Sequence, residues 1–279
     1  MLTSTSRLAT RKSVCLFVLL AYGIAWALWL PLLLGAKGLH LTRFDASIPF
    51  FVSLGTIGPM FASFIATRIE EGRWAMPSHF LPSPKARNLL NLFTGPALIT
   101  VSFVVFPYMI CVASGHKRIP LRFLVPLLAV WPNILGGPLE EEFGWRGYLL
   151  PRIAARTGNA VAAILVGVVW AAWHLPLMLA HVWGVSFWYF LPMAVSAAIF
   201  ASLGYFATGR SILGSVTVHY FFNTCSIMLG TALAGQPLYR NRDVDKMVLI
   251  SMIGVAVLTI AITRGQLGSA PATKDVNSS

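Results

Sequence analysis

The chain has 279 residues, 57% of them hydrophobic and only 11% charged, with a mean hydropathy of +0.73. A soluble domain carries roughly 45–50% apolar and about 25% charged residues, so the composition describes a polytopic membrane protein. The formal net charge of +12 is spread over short loops, which suits anionic lipid headgroups; with no basic domain, no nucleic-acid partner is expected.

In chain order, apolar runs of about 20 residues fall near 13–35, 48–67, 89–114, 124–142, 159–183, 187–208, 211–233 and 246–263. They predict an all-α polytopic membrane protein of about eight transmembrane helices enclosing a polar cavity. One domain covers 1–279, with a motif core at about 124–233 and polar termini at 1–12 and 265–279. The first run follows Arg7, Arg11 and Lys12 but exceeds the roughly 7–15 apolar residues of a signal peptide, so it is expected to be a retained helix. Of the 21 Lys and Arg, 12 fall on the side of the two termini, among them Arg152 and Arg156 in an expected loop at 152–158, and 8 on the other side. The excess of cations places both termini in the cytosol. Cys15, Cys111 and Cys225 all lie inside apolar runs, where a thiol packs as a small hydrophobe, and their spacing implies neither a disulfide framework nor a metal cluster.

Against this background the acids stand out. The chain has nine, and three of them, Glu140, Glu141 and Glu142, are consecutive in the fourth run. An ionisable group near the bilayer midplane costs roughly 2.5–3.5 kcal/mol on insertion scales and calls for a partner and a function. On a helix Glu142 and Arg146, four residues apart, share a face and pair, whereas Glu141 points about 140° away from that arginine. Glu141 is therefore left without a cation, as suits a general base or a proton carrier. Glu140 lies on another face, nearer a helix edge or loop, and has no assigned role. Pro132, Pro138 and Gly136-Gly137 are expected to kink or loosen the helix leading to the glutamates.

Two further helical pairs follow. Trp170 shares a face with His174, and His219 with Asn223; taken singly, each reads as a packing histidine or a polar clamp between helices. His181, seven residues beyond His174, falls on nearly the same face about 10 Å along the axis and reads as interfacial or cleft-rim. His40, His79 and His116 are loop residues. Trp131, Trp145, Trp173, Trp183 and Trp188 fit interfacial belts and bundle packing, with Trp145 and Trp170 possible walls of a substrate cleft. Buried carboxylates, histidines and a broken helix also occur in proton-coupled transporters. A carrier usually shows two related halves, however, and here the polar residues are confined to the central region.

In combination, Glu141-Glu142-Phe-Gly-Trp-Arg146, Trp170-Ala-Ala-Trp-His174 and His219-Tyr-Phe-Phe-Asn223 resemble the EExxxR, FxxxH and HxxxN/D motifs of the CPBP family. These are the CAAX-protease and bacteriocin-processing (Abi) membrane proteases, which include the type II CAAX prenyl endopeptidases. Tryptophan stands at 170 where the family has phenylalanine, a swap of one aromatic for another. The flanks at 141–152 and 173–176 look like those of prokaryotic members, which implies a prokaryotic cytoplasmic membrane. The resemblance implies an intramembrane endopeptidase acting on membrane-associated or prenylated, CAAX-type proteins or peptides. The sequence has no His-Glu-x-x-His helix and no aspartate pair inside the runs, and Ser215 beside His219 lacks the setting of a serine nucleophile.

On this reading Glu141 and His174 activate water, His219 and Asn223 donate to the oxyanion, and Glu142 with Arg146 supports the helix. An oxyanion donor is typically worth about 10²–10³-fold in rate. No cofactor is required. A catalytic zinc held by Glu141, His174 and His219 is the alternative, disfavoured because Glu141 as a ligand would leave the base unassigned. A family member that is catalytically idle and serves as a membrane scaffold is the remaining possibility.

Overall fold

The computed structural model describes residues 11–36, 38–44, 47–82, 90–102, 134–233 and 243–268. The described chain is helical throughout: α1 (Arg11–Leu34), α2 (Ile48–Gly55), α3 (Ile57–Glu71), α4 (Leu90–Thr100), α5 (Pro138–Gly144), a π turn (Trp145–Leu149), α6 (Leu150–Thr157), α7 (Asn159–Trp173), α8 (Leu175–Leu179), α9 (Phe187–Ala207), α10 (Ile212–Leu233) and α11 (Asp243–Ile262). Among the described residues, five stretches are long and apolar enough to cross a bilayer, namely Lys12–Leu34, Ile48–Glu71, Asn159–Leu179, Phe187–Ala207 and Asp245–Ile262. The chain is thus an all-α polytopic membrane protein. Asp245 sits in the first turn of α11 rather than in the loop its polarity indicates.

Association inside a bilayer depends on close backbone approach more than on apolar burial, since lipid is as apolar as leucine. Small residues supply that approach here. Ala21 and Ala25 of α1 face Gly58 of α3, where a Cβ would come within 3.0 Å of the Ala21 carbonyl oxygen, and Ala62 and Ala66 further along α3 are fully buried. Gly204 of α9 and Gly214 of α10 abut in the same way, a Cβ on either meeting the other's carbonyl oxygen at 2.3–2.4 Å. α9 is the central helix, buried almost continuously from Met193 to Phe206 and packed by α4, α7, α10 and α11. Large apolar side chains on the outer helices point outward, as with Leu19 at 72% and Ile250 at 70% exposure, the pattern of a lipid-facing surface.

Contacts join described residues of several segments that the charge count groups with the termini. Arg152 is not in a solvated loop: it lies on α6, only 3% exposed, and pairs with Glu70 at the end of α3 at 2.5 Å. Glu70 also accepts the Tyr148 hydroxyl at 2.7 Å. Ser211 and His79 form a bridge, and the Ala160 amide donates to the Gly265 carbonyl. Residues 265–268 are not a loose tail, because Leu267 is fully buried and Gly268 packs on Ala207.

Two predicted spans change shape. The run at 124–142 is not described before residue 134, and the helix that carries the glutamates starts only at Pro138, a residue suited to a first helical position because it lacks an amide hydrogen. That helix then passes beyond 142 and continues as far as Thr157 through the π turn. Pro151 accounts for the widening, since its ring and missing donor disfavour the regular bond to Gly147 four residues back. The Leu150 amide bonds to the carbonyl of Trp145 instead. The span at 159–183 is likewise interrupted at His174.

Candidate active site

Glu140 completes the start of α5. Its carboxylate reaches back to the Gly136 amide at 3.0 Å and the Gly137 amide at 3.1 Å, filling the role of an acid at the third position of a helix. That gives the first glutamate a structural task absent from the sequence reading, although the sequence signal, an acid two residues after a proline at a helix start, was there to be read. Gly137 adopts φ 158° and ψ −85°, open to glycine alone, and turns the chain directly over the site.

Glu142 and Arg146 pair as their spacing predicts, with Arg146 Nη1 donating to Oε1 at 2.6 Å, both side chains fully enclosed. The same oxygen receives His219 Nδ1 from α10 at 2.9 Å. Since a carboxylate oxygen only accepts, Nδ1 carries the proton and Nε2 is the other ring nitrogen of His219. Glu142 thus ties α5 to α10 and fixes the orientation of one of the two motif histidines.

Glu141, 3% exposed, forms no ion pair among the described residues, its neighbours Arg146 and His219 both bonding to Glu142 instead. Glu141 Oε2 accepts two indole N–H groups, from Trp170 at 2.6 Å and from Trp145 at 3.3 Å. Its Oε1 accepts none of the described hydrogen bonds. A Cβ on Gly137 would sit 3.6 Å from that Oε1 and 3.4 Å from Asn223 Nδ2, so carboxylate and amide border a common gap that glycine keeps open. Asn223 is half-buried on α10, one turn beyond His219.

His174 is positioned by a failure of helical bonding. Pro176 cannot donate to the carbonyl four residues back, so α7 closes in a tight turn with the His174 amide on Ala171 at 3.1 Å. The Trp170 carbonyl is left over, and the His174 ring takes it through Nδ1 at 2.8 Å. Carbonyls only accept, so Nδ1 bears the hydrogen and Nε2 presents a lone pair. The ring is held among Trp29, Trp170, Trp173, Trp183 and Phe190, with centroids at 4.7–6.3 Å.

The six expected residues Glu141, Glu142, Arg146, His174, His219 and Asn223 are linked in one cluster of contacts, at whose hub stands Trp170. Its ring stands 5.5 Å from His174, 5.1 Å from His219 and 5.4 Å from the Arg146 guanidinium carbon. Tryptophan for phenylalanine is accordingly not a neutral swap, because phenylalanine has no donor for Glu141. Trp145 is a second donor rather than only a wall. His181 lies outside the cluster: the break at His174 ends the helix that would carry it onto the same face, and it sits exposed in a turn at φ 51°. Ser215 spends its hydroxyl on the Ile212 carbonyl at 2.9 Å.

A zinc ion would require Glu141, His174 and His219 to converge on one point. Among the described residues no three His, Cys, Asp or Glu side chains are gathered as a ligand set. As arranged, these residues do not fit the ion.

Fold and site together define a helical membrane protein with a buried carboxylate, two oriented imidazoles and an amide around a gap at the start of a helix. Residues 123–225 match the family described as Type II CAAX prenyl endopeptidase Rce1-like. The chain is also similar to "CAAX prenyl protease 2" of Methanococcus maripaludis, at 28% identity over 114 residues, which are 38% of this chain and 39% of that protein. The chain thus spans about 39% of the length of that curated relative. The resemblance of the three motifs to the CPBP family is borne out over this segment.

Proposed function

We propose that this protein is an intramembrane endopeptidase that hydrolyses peptide bonds of membrane-associated proteins or peptides, with CAAX-type prenylated chains as the substrate class. The observation that carries the reading is the division of labour between adjacent glutamates. Glu142 binds both Arg146 and His219 through Oε1 and buries Oε2, whereas Glu141 forms no ion pair among the described residues and holds Oε1 beside Gly137 and Asn223. The name of the Methanococcus maripaludis relative supports the same substrate class.

In the reaction, water held by Glu141 Oε1 and His174 Nε2 attacks the scissile carbonyl carbon while its proton passes to the carboxylate. The new C–O bond places negative charge on the former carbonyl oxygen, which the Asn223 amide receives; His219 joins it when Nε2 also carries a proton. Collapse breaks the C–N bond, and the proton held by Glu141 moves to the departing amine. The side chains required are all supplied by this chain, and the chemistry proposed is metal-free. It requires water at membrane depth, so the gap at Gly137 is the wetted part of the bundle.

The test is purified protein in liposomes given a farnesylated peptide that ends in a CaaX sequence, with release of the C-terminal tripeptide followed by mass spectrometry. Release by the wild type and its loss in Glu141→Ala, at equal protein level, is the expected result. No release, or equal release by both, would overturn the reading. Exhaustive chelation is expected to leave the rate unchanged, and a loss restored by added zinc would revive the metal alternative. A membrane carrier would instead move protons across the liposome wall without cleaving the peptide.

A further inference from the structure

Trp170 reaches Glu141 across 29 positions of sequence, from α7 to α5, and the contact is a short indole N–H to carboxylate bond of 2.6 Å in an almost fully enclosed setting. A large aromatic at a helix contact is ordinarily packing. Packing, however, does not require the nitrogen edge to meet the carboxylate in the cluster that forms no ion pair among the described residues. Through its backbone the same residue also holds His174, its carbonyl accepting Nδ1 at 2.8 Å, while its ring face lies under Arg146. A single residue therefore fixes the rotamer of Glu141 and the tautomer of His174.

We propose that Trp170 is the positioning residue of the site. It binds Oε2 of Glu141, assisted by Trp145, so that only Oε1 is left to hold the water beside Gly137. The inference rests on the endopeptidase reading for its kinetic consequence and on geometry alone for the hydrogen bond. A carboxylate with one oxygen immobilised presents the other in a single direction, whereas an unanchored carboxylate in the same cavity rotates and loses alignment with His174. The indole N–H does this without adding a positive charge, which would hold the carboxylate as a salt bridge and weaken it as a base. Trp145 at 3.3 Å is the longer and secondary donor.

Two measurements test this. The nine tryptophans give separate indole resonances in an amide-correlated NMR spectrum of the ¹⁵N-labelled protein in micelles. The signal lost in Trp170→Phe identifies position 170, and Trp170→Tyr serves if the first variant does not fold. In the wild type that proton is expected well downfield, and Glu141→Gln is expected to move it upfield while signals other than those of Trp145 and Trp170 hold their place. In turnover of the farnesylated peptide, Trp170→Phe is expected to lower kcat about ten- to a hundredfold, the range for losing one hydrogen bond to a charged group, with KM unchanged. An indole signal indifferent to Glu141→Gln, or a Trp170→Phe enzyme with wild-type kcat, would overturn the proposal. A wild-type protein that cleaves no peptide would instead remove the endopeptidase reading, and the indole signal would still decide whether Trp170 holds Glu141.

Discussion

Neighbouring carboxylates at 141 and 142 experience opposite surroundings although they share a helix turn. Glu142 is locked by a guanidinium and an imidazole, Glu141 by two neutral indoles. Their glutamine variants should accordingly fail in different assays. Glu141→Gln keeps shape and is expected to lower kcat by roughly 10²–10⁴-fold, the usual worth of a general base, with little change in thermal unfolding in detergent. Glu142→Gln leaves Arg146 buried without its counter-ion and should cost about 3–5 kcal/mol of stability. Should both variants melt alike and hydrolyse alike, the separation of roles would be wrong. The i, i+4 spacing makes the Glu142–Arg146 pair legible in the sequence. The indole bond to Glu141 is not legible there, because it joins residues 29 apart whose relation depends on how two helices pack.

Proline acts twice as an architect of local geometry. Pro151 widens the turn before it, and Pro176 stops α7 so that His174 emerges beside a vacant carbonyl. Replacing Pro176 by alanine should let the helix run on, returning the Trp170 carbonyl to the backbone and releasing the His174 ring. The expected outcome is a fall of about 10²-fold in kcat, the scale of an ångström of misplacement, with a thermal midpoint that holds or rises. An unchanged kcat would mean that the ring keeps its orientation from the surrounding tryptophans alone. Apolar run length makes most of the helices legible, while the breaks are legible only in part. Both prolines are visible in the sequence, yet hydropathy averages over them, and the expected spans therefore end at 142 and pass through 174 uninterrupted.

For the whole molecule, the contacts of Glu70 with Arg152, His79 with Ser211 and Ala160 with Gly265 join described residues of several segments that the charge count groups together. The direction of the bundle in the membrane is a separate matter, and the cation excess in these segments predicts a cytosolic location for both termini. In a bacterial host, a C-terminal fusion to a fluorescent protein should be bright and one to alkaline phosphatase inactive; the reverse pattern would invert the topology. The Glu70–Arg152 pair has no sequence signature, since 82 positions separate its members, and the sequence alone therefore leaves Arg152 in a loop.

The first helix carries none of the three motifs, yet its Tyr22 hydroxyl donates to the Val169 carbonyl at 2.5 Å and its Trp26 indole to the Trp173 carbonyl at 2.9 Å. The second of these carbonyls is one that the break at His174 removes from regular helical bonding, and lipid offers no donor to replace Trp26. The stretch recognisable by its motifs is therefore not a portable unit: transplanted into another membrane scaffold, it would lack the outside donors that make its interrupted helix tolerable.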